Sequence, residues 1–238
     1  MSQRSIKHRR NRYLLFAGIL FLVVLSASGF LWYGVENTAK ENNVMKEMSF
    51  SVTRNGTETG EPWNLILVNK DNPIPDDYDV NLVEVEGGEC VDERIYKPLM
   101  EMLHAAKEGN WGELPTVVSG YRTREMQQSL YDEKIAKFKK EGYSDSEAVK
   151  QAQQWVAVPG YSEHQLGFAV DINGATYDVY LWLQENSYKY GFIFRYPGGK
   201  TDITGTAEEV WHYRYVGKEA AKEIYERGVC LEEYLDDL

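Results

Sequence analysis

Where the four histidines of this chain fall constrains it more than any other feature. His8 sits in a basic leader, and His104 lies off the apolar stripe of an expected helix. The other two stand in carboxylate-bearing segments, Ser162-Glu163-His164-Gln165-Leu166-Gly167-Phe168-Ala169-Val170-Asp171 and Glu209-Val210-Trp211-His212. Two imidazoles, one carboxylate ligand and one spare carboxylate are what a catalytic zinc site requires: three protein ligands, an open position for water and a base beside it. A single histidine near an aspartate is more often a hydrogen-bonded structural pair, so the weight rests on the two segments together. Each has Gly or acidic residues at its start and then an extended apolar or aromatic run, which predicts both histidines at or near strands of one sheet. Side-chain alternation puts His212 and Arg214 on one face. Glu209 would point the other way within a strand, and is expected in the turn entering it.

With 238 residues and 43% hydrophobic content the chain holds one sizeable domain and an appendage. Arg4, Lys7, Arg9, Arg10 and Arg12 make residues 1–12 a basic tail, followed by an uncharged run over residues 13–35 with aromatics at both ends. That run exceeds the roughly 20 residues needed to cross a bilayer. It reads as a single transmembrane anchor, with the tail in the cytoplasm and the remainder extracytoplasmic. A cleavable signal peptide is the competing reading, because Ser26-Ala27-Ser28 offers small residues to a peptidase; the apolar run, however, continues through Phe30, Leu31 and Trp32. Residues 36–60 are polar and read as a linker, leaving 61–238 as the domain.

The net charge of -11 hides a split. Without the five leader cations the remainder carries 21 Lys+Arg against 37 Asp+Glu, a net of -16. Such a surface argues against nucleic acid as a partner, and against electrostatic docking to anionic lipid or wall polymer. Acidic runs such as Glu232-Glu233 and Asp236-Asp237 read as solvated faces. On the oxidising side of a membrane, Cys90 and Cys230 permit one disulfide or remain two buried thiols.

Apolar periodicity predicts a short strand over 63–68, and a helix over 92–108 burying Ile95, Leu99, Met102, Leu103 and Ala106. A strand from Thr116 runs into a turn at Arg122, and a helix over 124–140 is expected to bury Leu130, Tyr131, Ile135 and Phe138. Ser144 with Glu147 resembles a capping box opening a helix through Trp155. A helix over 177–190, a strand over 192–196 and a helix over 218–227 follow. The order suits an α+β domain, with helices packed around a small, mostly antiparallel sheet that carries the zinc site, preceded by a single transmembrane helix. Arg122, leaving its turn upstream of the metal segments, suits a substrate carboxylate or an oxyanion; a surface ion pair is the plainer alternative.

Ser119-Gly120-Tyr121-Arg122-Thr123, the pattern Ser162-x-His164-x-x-Gly167-x-Ala169-x-Asp171 and Glu209-x-Trp211-His212-Tyr213-Arg214-Tyr215-Val216-Gly217 together resemble the VanY-type D-alanyl-D-alanine carboxypeptidases, zinc peptidases of bacterial cell-wall metabolism. The similarity runs from about Trp63 to the C-terminus. It implies His164, Asp171 and His212 as ligands of one zinc ion, Glu209 as catalytic base and Arg122 as a stabiliser of transition state or substrate. Ser119, Gln127 and Ser162 are implied to line the substrate site. Glu208 competes with Glu209, and only the three-residue spacing to His212 favours the latter. The activity implied is removal of a C-terminal D-alanine from peptidoglycan stem peptides or precursors, at the outer side of the cell membrane. An L,D-carboxypeptidase acting on tetrapeptide stems and a peptidoglycan endopeptidase share the zinc chemistry. A non-catalytic wall-binding protein, the alternative of a different class, would have little reason to keep Glu209 beside a complete ligand set.

Overall fold

The computed structural model describes residues 62–108, 115–174 and 176–238. The tail, anchor and linker expected over residues 1–60 lie outside the described residues. Among the described residues no helix is long and apolar enough to cross a membrane.

The strands are β1 (Leu82–Glu84), β2 (Cys90–Asp92), β3 (Thr116–Ser119), β4 (Ala169–Asn173), β5 (Phe192–Phe194) and β6 (His212–Tyr215). The helices are α1 (Glu93–Glu108), α2 (Arg124–Lys140), α3 (Asp145–Ala152), α4 (Tyr177–Asn186), the single turn α5 (Thr201–Thr204), α6 (Lys218–Arg227) and α7 (Leu231–Asp236). β1 and β2 form an antiparallel hairpin, and the other four strands an antiparallel sheet in the order β3-β4-β6-β5. Helices packed with small antiparallel sheets are therefore the architecture.

Alternation along β4 and β6 divides the sheet into two faces. Val170, Ile172 and Tyr213 join Phe168 in a core with Ile95, Leu99, Met102 and Leu103 of α1 and Val179 and Leu183 of α4. Asp171, His212 and Arg214 alternate with them and belong to the opposite face. The α1 stripe is buried as its spacing predicts, and Ile95, Leu99, Met102 and Leu103 each contribute about 1.5–3 kcal/mol by leaving water. Ile193 and Val216 form a second cluster with Ala220, Ala221 and Ile224 of α6 and Leu231 and Tyr234 of α7. β3 meets β4 with a register shift between Val117 and Ser119, an irregularity of the kind that re-aims the residues that follow it.

Several elements differ from expectation. Residues 63–68 form no strand: Trp63–Leu65 is a 3-10 turn. Arg214 explains why, since its Nη2 donates to the carbonyls of Asn64 and Ile66 at 3.3 and 3.1 Å, partners that a sheet ladder would otherwise supply. α2 spans the expected residues, yet Gln127 is its one buried side chain, and Leu130 is 38% exposed. The helix packs on α3 beside the sheet instead of entering the core. α3 has the expected Ser144/Glu147 capping box but ends at Ala152, short of Trp155. Glu232 is no solvated acid: it lies in α7, 7% exposed and paired with Arg195. Cys90 and Cys230 are both free thiols.

Candidate metal centre

The β4–β6 register sets Asp171 directly opposite His212. His164 arrives on a 3-10 turn, Glu163–Leu166, that ends at Gly167 with φ 77°. That left-handed conformation favours glycine, and a Cβ there would also press on the Asp92 backbone nitrogen at 3.0 Å. Gly120 is constrained differently, because a Cβ would collide with the Cys90 carbonyl. Its own carbonyl lies 2.7 Å from His164 Nδ1.

That contact decides how His164 is used. A carbonyl only accepts, so Nδ1 carries the proton, and the lone pair of Nε2 faces Asp171 Oδ1 at 3.3 Å. His212 is turned the other way, with Nδ1 at 3.0 Å from the same Asp171 oxygen and Nε2 at 3.4 Å from Glu163 Oε2. The donor atoms of His164, Asp171 and His212 all lie within 4.8 Å of one another. Tetrahedral zinc with ligands at about 2.0–2.2 Å sets neighbouring donors roughly 3.3–3.6 Å apart, near the 3.3 and 3.0 Å that separate the Asp171 oxygen from the two imidazole nitrogens. Two nitrogens and one carboxylate oxygen, with a fourth position left to solvent or substrate, form the donor set of a catalytic zinc site, so the residues present fit the ion.

Burial and charge tune the group. Burial holds His164 below the ordinary imidazole range, against the pull of Asp171. Burial also works against protonation of His212, but its hydrogen bonds to Asp171 and Glu163 prevail and push it up to about 9. Asp171 lies well below the usual carboxylate range: burial opposes its charge, and the two histidines more than compensate.

Glu209 sits just before the turn that enters β6, as expected, with Oε2 3.8 Å from His212 Nδ1. It is 8% exposed, and burial, the largest influence, together with the nearby Asp171 charge raises its pKa to about 7. A carboxyl so poised both accepts and donates protons near neutrality. Glu208 is exposed, and its side chain accepts from the Gly198 backbone N–H at 3.4 Å, so the geometry separates two acids that sequence left adjacent.

Arg122 donates from Nη2 to Asp171 Oδ2 at 2.6 Å and from Nε to Ser119 Oγ at 2.8 Å. It lines an open cleft of about 560 Å³ with His164, Asp171, Glu209 and His212. Gln127 and Ser162 line the cleft too; Ser119 does not, and instead holds Arg122. Gln127 Nε2 donates to the Ala157 carbonyl at 2.8 Å, while its buried Oε1 has no hydrogen-bond partner. The residue that motif reading passed over is Glu163, whose carboxylate receives His212. An acid beside a candidate ligand, matched by Arg195 in an apolar strand region, was the available signal.

A model of the family described as VanY, D-alanyl-D-alanine carboxypeptidase, matches residues 88–218. The chain belongs to this VanY family. A D-alanyl-D-alanine carboxypeptidase of Enterococcus faecalis (strain ATCC 700802 / V583) is 47% identical over 229 residues, covering 93% of this chain and 85% of the relative. Among solved structures, a mutant of the vancomycin resistance D,D-pentapeptidase VanY from a VanB-type cassette, in complex with Zn(II), is 55% identical with a TM-score of 0.70, covering 73% of this chain and 99% of the other. VanYB in complex with D-alanine-D-alanine is 54% identical with a TM-score of 0.71, covering 74% and 98%.

Proposed function

We propose that this VanY-family chain is a zinc-dependent D-alanyl-D-alanine carboxypeptidase, a hydrolase that removes the C-terminal D-alanine of peptidoglycan stem peptides or their precursors. The observation that carries the reading is the His164, Asp171 and His212 donor set beside a spare buried carboxylate, Glu209, on the wall of an open cleft. His164, Asp171 and His212 would hold the ion, which when bound supplies Lewis acidity that acidifies water and polarises a carbonyl group. Glu209 takes the proton of the attacking water on its carboxylate and returns it to the nitrogen of the departing D-alanine, acting as base and then as acid. Arg122, steadied by Ser119, presents a guanidinium to the oxyanion or to the terminal carboxylate. Gln127 and Ser162 line the path of the peptide. Lys134 and Lys137 line the same cleft in a chain of net charge -11, which supports a substrate ending in a carboxylate.

The apolar run over residues 13–35 behind a basic tail supports a single-pass anchor with the domain outside the membrane, beside the wall peptides. Incubation of the purified protein with a D-alanine-terminated stem pentapeptide is expected to release D-alanine, read by mass spectrometry, with loss on chelation and recovery on adding zinc. Cleavage of the tetrapeptide alone would assign an L,D preference. Release that survives both chelator and His164→Ala overturns the reading.

A further inference from the structure

Behind Nε2 of His212 lies a run of charge that the reaction does not use, and it begins at Glu163 on the cleft wall. Glu163 is fully buried, with Oε2 3.4 Å from His212 Nε2 and Oε1 2.8 Å from Arg195 Nε. Arg195, also fully buried, turns its two other nitrogens onto the carboxylate of Glu232 at 2.8 and 2.7 Å. Asn69 Nδ2 donates to the same carboxylate at 3.1 Å. A second fully buried arginine, Arg214, has Nη1 3.8 Å from Glu163 Oε1 and no hydrogen-bond partner there. The chain thus keeps two arginines and two carboxylates out of water, where well-packed apolar residues of similar volume are often as stable or more so. Neither arginine lines the cleft.

We propose that Glu163 is a positioning residue that fixes the ring of His212, and that Arg195, clamped by Glu232, holds Glu163 in place to do so. The inference rests on the zinc reading above. An imidazole that offers Nδ1 to a metal must place its Nε2–H somewhere, and a carboxylate acceptor both sets the ring orientation and raises the ring's donor strength. Arg195 occupies Oε1, which leaves Oε2 to His212. His164 differs, since its outer nitrogen meets only the neutral Gly120 carbonyl. The two imidazoles are therefore supported unequally, one by a backbone dipole and one by an anion that reaches, through Arg195, to the last helix. Because Glu163 is adjacent to His164 in the chain, one short turn supplies one ligand and orients the other.

The test compares the full-length wild type with Glu163→Gln and Arg195→Lys. The readouts are zinc affinity by competition with a chromophoric chelator, the visible spectrum of the cobalt(II)-loaded protein, and the imidazole N–H signals in ¹H–¹⁵N spectra. Glu163→Gln is expected to weaken zinc binding by about 10–100-fold, to change the cobalt spectrum, and to displace the His212 Nε2–H signal while leaving the His164 Nδ1–H signal in place. A folded Glu163→Gln protein with wild-type zinc affinity and an unchanged cobalt spectrum overturns the proposal, because it would mean that Glu163 only neutralises the arginines. Should that variant not fold, Arg195→Lys decides: a displaced His212 signal supports the relay, and an unmoved one overturns it. A wild type that binds no zinc removes the metal reading itself, and the chelator competition tells that result apart from the others.

Discussion

The centre of the sheet and the α2–α3 hairpin both border the cleft, but they are built in opposite ways. In β4 and β6, Ala169, Val170, Ile172, Tyr213 and Arg214 are closed off from solvent, and two of the candidate donors, Asp171 and His212, stand on strands that the register ties to each other, with His164 on a buried 3-10 turn. α2 buries only Gln127, and Met126 is 52% exposed. It is held by local devices: Thr123 accepts the Met126 N–H at 3.2 Å, lysines crowd its C-terminal turn, and a capping box opens the next helix. A metal site needs its donors held within a few tenths of an ångström, and the candidate donors are placed against a packed core; the α2 wall of the cleft is left outside it.

The sharpest break between the two regions lies in chemistry. Glu209→Gln is expected to lower kcat on the pentapeptide by about 10²–10⁴-fold with zinc content unchanged, as read by elemental analysis beside steady-state rates. Loss of zinc in that variant would instead place Glu209 among the ligands. Next comes stability. Phe168→Ala removes a ring packed between Trp63 and Tyr78 and is expected to cost about 3–5 kcal/mol in denaturant unfolding. Phe138→Ala removes an edge-on contact with Tyr143 on the hairpin and should cost about 1 kcal/mol. Equal losses would show the hairpin to be part of the core.

Acid separates them next. Burial opposes the charge of Glu232, but Arg195 outweighs it and holds the carboxyl below its ordinary 4.5. A carboxyl whose pKa is depressed by folding stabilises the protein above its unfolded value, and that contribution fades as pH falls through the lower folded value. Glu232→Gln should therefore lower the Tm most near neutrality, with the gap to wild type closing below about pH 4.5. The smallest effect belongs to the wall. Trp155, 39% exposed with Lys134 Nζ 5.4 Å from its ring centroid, should on replacement by alanine raise KM a few-fold and leave Tm nearly unchanged. A large drop in Tm would contradict its placement outside the core.

Legibility in the sequence followed the same division. The α1 stripe, the strand approaching Arg122 and the α6 boundaries could be read locally, because periodicity and turn residues are local properties. The place of Glu209 before β6 was also readable, since strand parity excluded it from the face of His212. The region 63–68 misled: an apolar run looks like a strand, and only a distant arginine taking its carbonyls makes it otherwise. α2 misled in the opposite sense, because helical spacing of apolar residues does not say whether a core is there to receive them.

By itself the sequence pointed to the α+β class and, because few residue types hold a metal and the histidines are few, to His164 and His212 with carboxylates near them; the full set of His164, Asp171 and His212, with Glu209 as base, was what the family resemblance implied. Only the tertiary structure decided which nitrogen of each histidine faces Asp171, that Glu209 and not Glu208 is buried, and that Glu163 stands behind His212 on a scaffold of Arg195, Glu232 and Asn69. The reason is physical. A donor atom is a property of a residue, whereas its direction, its burial and its partner's charge depend on segments that only folding brings together.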